Sequence, residues 1–194
     1  MINYARDMNL DICKGIIEEL PKHYTKSILG NDSFEGLYGF RLVFRDDGID
    51  EVLQRYSFLK PFLDESIDSS KSNVYYLNSL TVTDGKSVKK HVDTTISNKY
   101  LPRIKTASEV SVLYLQVPND MVGGKLSVYN LDGTTECVKP KVGKLFKFDG
   151  RLQHGVGITM TDFERTSLVL ESYSLEEWEY ELIPKFHIDD GVTN

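Results

Sequence analysis

Two rhythms of apolar residues run along this chain, and the change between them near residue 73 predicts its architecture. Over 8–20 (MNLDICKGIIEEL), Met8, Ile12, Ile16, Ile17 and Leu20 recur close to helical spacing, and Pro21 follows as a stop. This predicts an N-terminal helix. Over 49–65, Ile49, Val52, Leu53, Tyr56, Leu59 and Leu63 keep one broad apolar face, so a second helix is expected, with Pro61 kinking it or ending its first part. Between the two, 37–44 has strand character.

From residue 73 onward the apolar positions come in short β-rich runs: 74–83, 110–117, 125–129, 134–138, 145–148 and 166–173. Turn-forming pairs separate them at Asp84-Gly85, Pro118-Asn119, Gly123-Gly124, Asp132-Gly133 and Asp149-Gly150. Many short strands at near-regular spacing predict a sandwich or barrel rather than βαβ units, with the helices buttressing the outside of one sheet. One connection is long for a hairpin. Residues 94–108 (TTISNKYLPRIKTAS) carry Lys99, Arg103 and Lys105 around Pro102, and loops of that length are commonly functional lids or disordered.

Composition narrows the picture. A chain of 194 residues suits one domain with a sizeable core, and no repeat, linker or low-complexity tract divides it. No apolar run reaches the roughly 18 residues of a membrane span, and the N-terminus carries acids where a signal peptide would be apolar. Two cysteines, Cys13 and Cys137, make no disulfide framework or metal cluster, which points to a reducing cytoplasm. A formal net charge of −6 without a Lys/Arg stripe argues against nucleic acid as a partner.

Candidate chemistry begins at His91-Val92-Asp93. An imidazole and a carboxylate at i and i+2 of extended chain point to one face, as two ligands of one metal must. With four histidines and 29 acidic residues in the chain, such a pair is weak on its own. His154 strengthens it, lying in FDGRLQHGVG at the end of a β run between Gly155, Gly157 and the turn before them, where backbone can approach closely. Two histidines and one carboxylate form a facial triad that leaves three iron positions open, enough for a bidentate 2-oxo acid and dioxygen. Eleven residues on, Arg165 and Ser167 share one face of an apolar strand. A guanidinium entering a barrel needs an anionic partner, and a carboxylate accepts it bidentately with a hydroxyl alongside. His23 and His187 have no partner pattern and read as surface or structural.

The ordered set His91-x-Asp93, His154, Arg165-x-Ser167 resembles the 2-oxoglutarate/Fe(II) dioxygenase superfamily, its prolyl-hydroxylase-like branch most closely. LYLQVPNDMVGGKLSVY (113–129) is similar to that branch's strand, loop and Gly-Gly-x-Leu turn. PKVGKLFKFDGRLQHGV (140–156) is similar to its Pro-x-x-Gly-x-Leu-x-x-Phe run into the second histidine. The resemblance covers about 74–173. It implies a mainly β fold, a double-stranded β-helix (a jelly-roll, cupin-like barrel) with buttressing N-terminal helices. One domain, 1–194, is expected, with 1–72 as helical support and 73–183 as barrel core. It further implies that His91, Asp93 and His154 bind Fe(II), and that Arg165, Ser167 and Tyr114 bind 2-oxoglutarate. Two positions depart from the family's habit: Glu164 stands where a glycine often precedes the arginine, and Thr81 where a tyrosine often lies about ten residues before the first histidine.

The activity implied is hydroxylation of an unactivated C–H, with dioxygen consumed, succinate and CO2 as co-products, and ascorbate as a reductant. Retention of Asp93 favours hydroxylation over halogenation, because halogenases of the superfamily usually have a small residue there. A free amino acid or small metabolite is the expected substrate, since no peptide-binding domain lies beyond the barrel. The alternatives are a peptidyl, prolyl-type hydroxylase and a non-catalytic cupin-like metal-binding protein. In the 94–108 loop, Arg103 is the residue expected to meet a substrate carboxylate, its planar fork suiting that group.

Overall fold

The computed structural model describes residues 1–23, 27–28 and 38–189, the side chains of Ser27, Ile28, Tyr38 and Asn98 aside. In chain order the strands are β1 (Ile2–Asp7), β2 (Ser27–Ile28), β3 (Tyr38–Gly39), β4 (Arg41–Arg45), β5 (Val74–Val82), β6 (Val88–His91), β7 (Glu109–Gln116) and β8 (Val122–Gly123). They continue with β9 (Leu126–Tyr129), β10 (Thr135–Val138), β11 (Lys144–Asp149), β12 (Gln153–Val156), β13 (Thr159–Met160), β14 (Arg165–Tyr173) and β15 (Phe186–Ile188). The helices are α1 (Leu10–Glu19), α2 (Ile49–Arg55), α3 (Lys60–Ser66), α4 (Thr95–Tyr100) and α5 (Glu177–Tyr180).

Two antiparallel sheets face each other. Among the described residues the larger runs β1-β11-β7-β14-β5; both β3 and β4 then pair with β5, β3 leading to β2 and β4 to β15. The smaller runs β10-β9-β12-β6. Between them lies a core drawn from both, with Val74, Val110, Val112, Phe146 and Phe148 from the larger sheet and Val88, Leu126, Val128 and Val156 from the smaller. This is the mainly β, double-stranded barrel expected.

The central strands β5, β7 and β14 of the larger sheet are buried on both faces, which explains why apolar residues occur on both faces of each. In β7, Val110, Val112 and Tyr114 turn inward while Leu113 and Leu115 turn out to a second core. That outer core is closed by the helices. Helix α1 begins on Asn9, whose side chain accepts from the Asp11 amide at 2.7 Å, and it lays Cys13 and Ile16 on the sheet with Leu20 just beyond. Each such buried aliphatic contributes about 1.5–3 kcal/mol.

Three expectations need correction. Pro61 does not break the second helical stretch; it stands in the first turn of α3, where its missing N–H costs nothing. The break falls at Tyr56, whose backbone (φ −132°, ψ 56°) leaves the helical region. Segment 1–72 is more than helical support, because β1 and β4 extend the larger sheet on either side. Of the strand expected over 37–44, Leu37 lies outside the described residues, and the rest divides into β3 and β4.

Candidate active site

The barrel's interior is shaped by strict alternation along β14. Arg165, Ser167, Val169 and Glu171 line one cavity, while Leu168 and Leu170 face the helices. The cavity's other walls come from Asn78 and Leu80 on β5, Val110, Val112 and Tyr114 on β7, and His91, Asp93 and His154 at the smaller sheet.

His154 on β12 pairs across the sheet with His91 on β6, and the register slips by one residue before Val156 meets Val88. A bulge re-aims the side chain it displaces, and here both Val88 and His91 reach the cavity. The close approach of the two strands depends on Gly155. A Cβ there would stand 2.9 Å from the Val88 carbonyl oxygen and 3.2 Å from Lys90 backbone. Gly157 meets no such crowding, so the expectation that both glycines are needed holds for the first alone.

The side chains His91, Asp93 and His154 offer ligand atoms within 4.8 Å of one another. Each imidazole is fixed by its Nδ1–H, which donates to a carbonyl two residues upstream: His91 to Lys89 at 2.7 Å, His154 to Leu152 at 3.1 Å. Both Nε2 atoms are thereby turned to the carboxylate, at 3.2 Å from Asp93 Oδ1 for His91 and 3.3 Å from Oδ2 for His154. The buried Asp93 Oδ2 has no hydrogen-bond partner. Atoms gathered round a common point in this way, with the outer nitrogens tied to backbone, fit a divalent metal. Burial disfavours the Asp93 carboxylate, but the attraction of His154 and then His91 outweighs it and holds the group well below the ordinary carboxylate range. Burial likewise opposes the charged His154 ring, and Asp93 more than offsets it, raising that imidazole.

At another part of the cavity stands Arg165, 1% exposed. One guanidinium nitrogen donates to the Gly124 carbonyl at 2.9 Å, an oxygen aimed there by the positive φ (61°) of Gly124. Its Nε has no partner, and neither does the buried hydroxyl of Ser167. No carboxylate lies within ion-pair distance of Arg165 among the described residues, whose ring neighbour Tyr114 is 5.4 Å from the guanidinium carbon. Burial pulls the guanidinium down from its ordinary value, with Tyr114 opposing. Unpaired buried donors of this kind fit an anion, and a carboxylate suits them best. Burial also pushes the Tyr114 hydroxyl up, Arg165 opposing.

Arg103 is not brought to this cavity. Its Nε lies 2.6 Å from Glu179 and its Nη2 3.1 Å from Glu176, and its plane stands over Trp178. The segment 94–108 is correspondingly not an open strap: it winds into α4, Ser97 bonds the backbone of Lys105 in both directions, and the Ala107 amide returns to the Asp93 carbonyl. Glu179, fully buried, also receives Lys105 at 2.9 Å. Burial disfavours its carboxylate, yet bonds from Arg103 and Lys105 bring its pKa down to about 2 from 4.5. Replacing Glu179 with Gln should therefore lower stability at pH 7 by about 2 kcal/mol, the worth of a hydrogen bond to a charged group. A lowered folded pKa gives stability that is present above the unfolded value and lost below it. The difference between the two proteins, read by thermal melting, should shrink as pH falls from about 4.5 towards about 2.

Thr81 pairs with Thr166 on the face turned away from the cavity, their hydroxyls 3.3 Å apart, so Leu80 takes the inward place beside Ser167. His23 packs among Tyr56, Phe58 and Phe40, and His187 sits on β15 opposite Val43, both structural. Glu171 and Asn78 are the cavity residues that sequence reasoning missed. Their signal was an amide at an inward position of β5, a strand otherwise apolar on that face, and a carboxylate on the inward face of β14 that Arg165 and Ser167 also occupy.

No family model matches the chain, and no curated protein matches it. Solved structures do. A prolyl-4-hydroxylase of Pseudomonas putida is similar at 17% identity, with a TM-score of 0.60, over 89% of this chain and 92% of that one. A prolyl hydroxylase of Trichoplax adhaerens, solved with a peptide fragment of the hypoxia-inducible-factor oxygen degradation domain, is similar at 15% identity and TM-score 0.60, over 93% and 87%. An oxidoreductase of the 2OG-Fe(II) oxygenase family from Burkholderia pseudomallei is similar at 16% identity and TM-score 0.52, over 79% and 75%. This chain has their fold.

Proposed function

We propose that this protein is an Fe(II)- and 2-oxoglutarate-dependent dioxygenase that hydroxylates an unactivated C–H of a free amino acid or small metabolite, releasing succinate and CO2. The observation that carries the reading is Arg165, a fully buried cation with an unpaired Nε beside the unpaired Ser167 hydroxyl, in one cavity with His91, Asp93 and His154. A barrel that merely stored a metal would need no such anion clamp. The shared fold with hydroxylases and a 2OG-Fe(II) oxygenase supports the same reading.

Iron(II), when bound, supplies the activation of dioxygen. The protein's residues do the rest. His91, Asp93 and His154 would hold the ion. Arg165 and Ser167 bind the distal carboxylate of 2-oxoglutarate, with Tyr114 over the guanidinium. Val110, Val112, Leu80 and Val169 keep water from the cavity. The free thiols of Cys13 and Cys137 suit a reducing, cytoplasmic setting.

A peptidyl, prolyl-type hydroxylase is the second reading, favoured by the likeness to a hydroxylase bound to a peptide. The assay for both is succinate release. Purified protein with Fe(II) and ascorbate should convert 2-oxoglutarate slowly alone and faster with its substrate. A panel of free amino acids set against proline-containing peptides separates the readings. Absence of succinate throughout, with iron bound, means a binding protein.

A further inference from the structure

The cavity has a second polar end that neither the metal nor 2-oxoglutarate uses. Glu171 and Asn78 are 3% and 6% exposed and line it on the neighbouring strands β14 and β5. Asn78 lies opposite Val169, and Glu171 opposite Tyr76, so the two polar side chains are diagonal neighbours on one inward face. Both present acceptors. Asn78 Oδ1 is buried and has no hydrogen-bond partner. Glu171 accepts from Thr95 Oγ1 at 2.8 Å and from the Tyr173 hydroxyl, one bond to each oxygen, which leaves acceptor capacity on both. Among the described residues no lysine, arginine or histidine lies within 4.0 Å of it.

Arg165 and Glu171 are six residues apart on one strand, roughly 20 Å at full extension. The cavity is thus polarised along β14, with unpaired donors on Arg165 and Ser167 towards one end and, towards the other, the unpaired Asn78 Oδ1 beside the Glu171 carboxyl, each of whose oxygens holds one bond. A dianion such as 2-oxoglutarate belongs with the donors and is repelled by the acceptors. Thr95, which bonds Glu171, is two residues beyond Asp93, so the acceptor end adjoins the metal ligands, where a substrate must lie. The apolar walls between, Val110, Val112 and Val169, suit a short aliphatic chain.

Resting on the reaction proposed above, we infer that the substrate carries a protonated primary amine, received by the Glu171 carboxylate and Asn78 Oδ1. An ammonium has three hydrogens to give and one charge to neutralise, which answers both unmet needs at once. A neutral hydroxyl or amide brings no charge to stabilise an ionised Glu171, and an anion would face acceptors on both residues. Burial and then the Asp93 charge push the Glu171 carboxyl well above its ordinary range, with the bonds from Tyr173 and Thr95 opposing; a cation placed beside it favours the ionised form.

Three probes of nearly equal size test this by calorimetric titration of the full chain: n-pentylamine, 1-pentanol and pentanoate. Each is titrated into metal-free protein and into protein loaded with Mn(II) and 2-oxoglutarate. Pentylamine should bind at least about tenfold tighter than pentanol, and pentanoate weakest. Glu171→Gln keeps the shape and removes the charge, and it should abolish the amine's preference without weakening pentanol. Asn78→Ala should reduce that preference by a smaller factor, and it decides the matter if Glu171→Gln melts far below the wild type. Pentylamine binding no tighter than pentanol, absence of binding included, or an amine preference that survives in both variants, overturns the inference. The Mn(II) and 2-oxoglutarate titrations are read separately. If neither binds while the amine preference stands, the cation pocket is upheld and the proposed reaction is what fails.

Discussion

Replacing Arg165 with alanine should raise the 2-oxoglutarate concentration needed for half-maximal binding about a hundredfold while leaving Mn(II) binding close to wild type. The size follows from the contact deleted: a bidentate, charge-assisted pair worth about 3 kcal/mol in a site from which water is excluded. Selectivity follows from position. Arg165 is held by the Gly124 carbonyl, with Tyr114 beside it, whereas the two histidines of the proposed metal site are fixed by Lys89 and Leu152 backbone and make no contact with it. Arg165→Lys should recover part of the loss, because an ammonium keeps the charge without the planar fork. Calorimetric titration of 2-oxoglutarate into Mn(II)-loaded protein reads both variants. An unchanged affinity in Arg165→Ala would mean that the anion binds elsewhere.

How much of this was legible before the fold was known depends on the kind of information each residue carries. The alternation of β14 is partly written in its sequence, because Arg165, Ser167 and Glu171 fall on one face while the other carries Leu168 and Leu170. The His91 and Asp93 pair of the proposed metal site was legible because i and i+2 in extended chain share a face. The six main β runs were legible from their β-rich composition and the turn pairs between them. Short strands were not. Strand β12, which carries His154, has four residues after a three-residue turn and was not read as a separate run. Strands β1 and β15 are exposed or half-exposed edges with too few apolar positions to announce themselves.

Arg103 shows a different limit. Its place in a long loop directly after Asp93 made it a natural partner for a substrate carboxylate. Charge alone does not say which carboxylate. The capping box of α5 brings Glu176 and Glu179 to the same spot from 70 residues away, and an ion-paired fork there is satisfied without substrate. The opposite happened at Glu171. Nothing in sequence distinguishes a carboxylate that finds an arginine from one that finds none, and the distinction appears once β5, β7 and β14 stand side by side.

His154→Ala should abolish tight metal binding, weakening it by more than about a hundredfold. Loss of a residue that merely orients a ligand costs about 10–100-fold, and His154 is here proposed as a ligand itself. The same variant should change how the metal-free protein responds to pH. Burial lowers the affinity of the His154 ring for a proton, but Asp93 reverses that and raises it above the ordinary 6.5. A raised folded pKa gives stability that is fully present below the unfolded value and is lost as pH rises through the folded one. Metal-free wild type should therefore lose stability as pH climbs above about 6.5, and His154→Ala should lose less over that window because its alanine has no proton to give up. Metal-loaded wild type should behave in the opposite sense. Ligation requires a neutral imidazole, so the ion competes with protons for His154, and metal-induced stabilisation should grow as pH rises through the same range. Melting curves from pH 5 to 9, with and without Mn(II), would test both signs on one protein. Parallel curves for the loaded and metal-free forms would remove His154 from the metal centre.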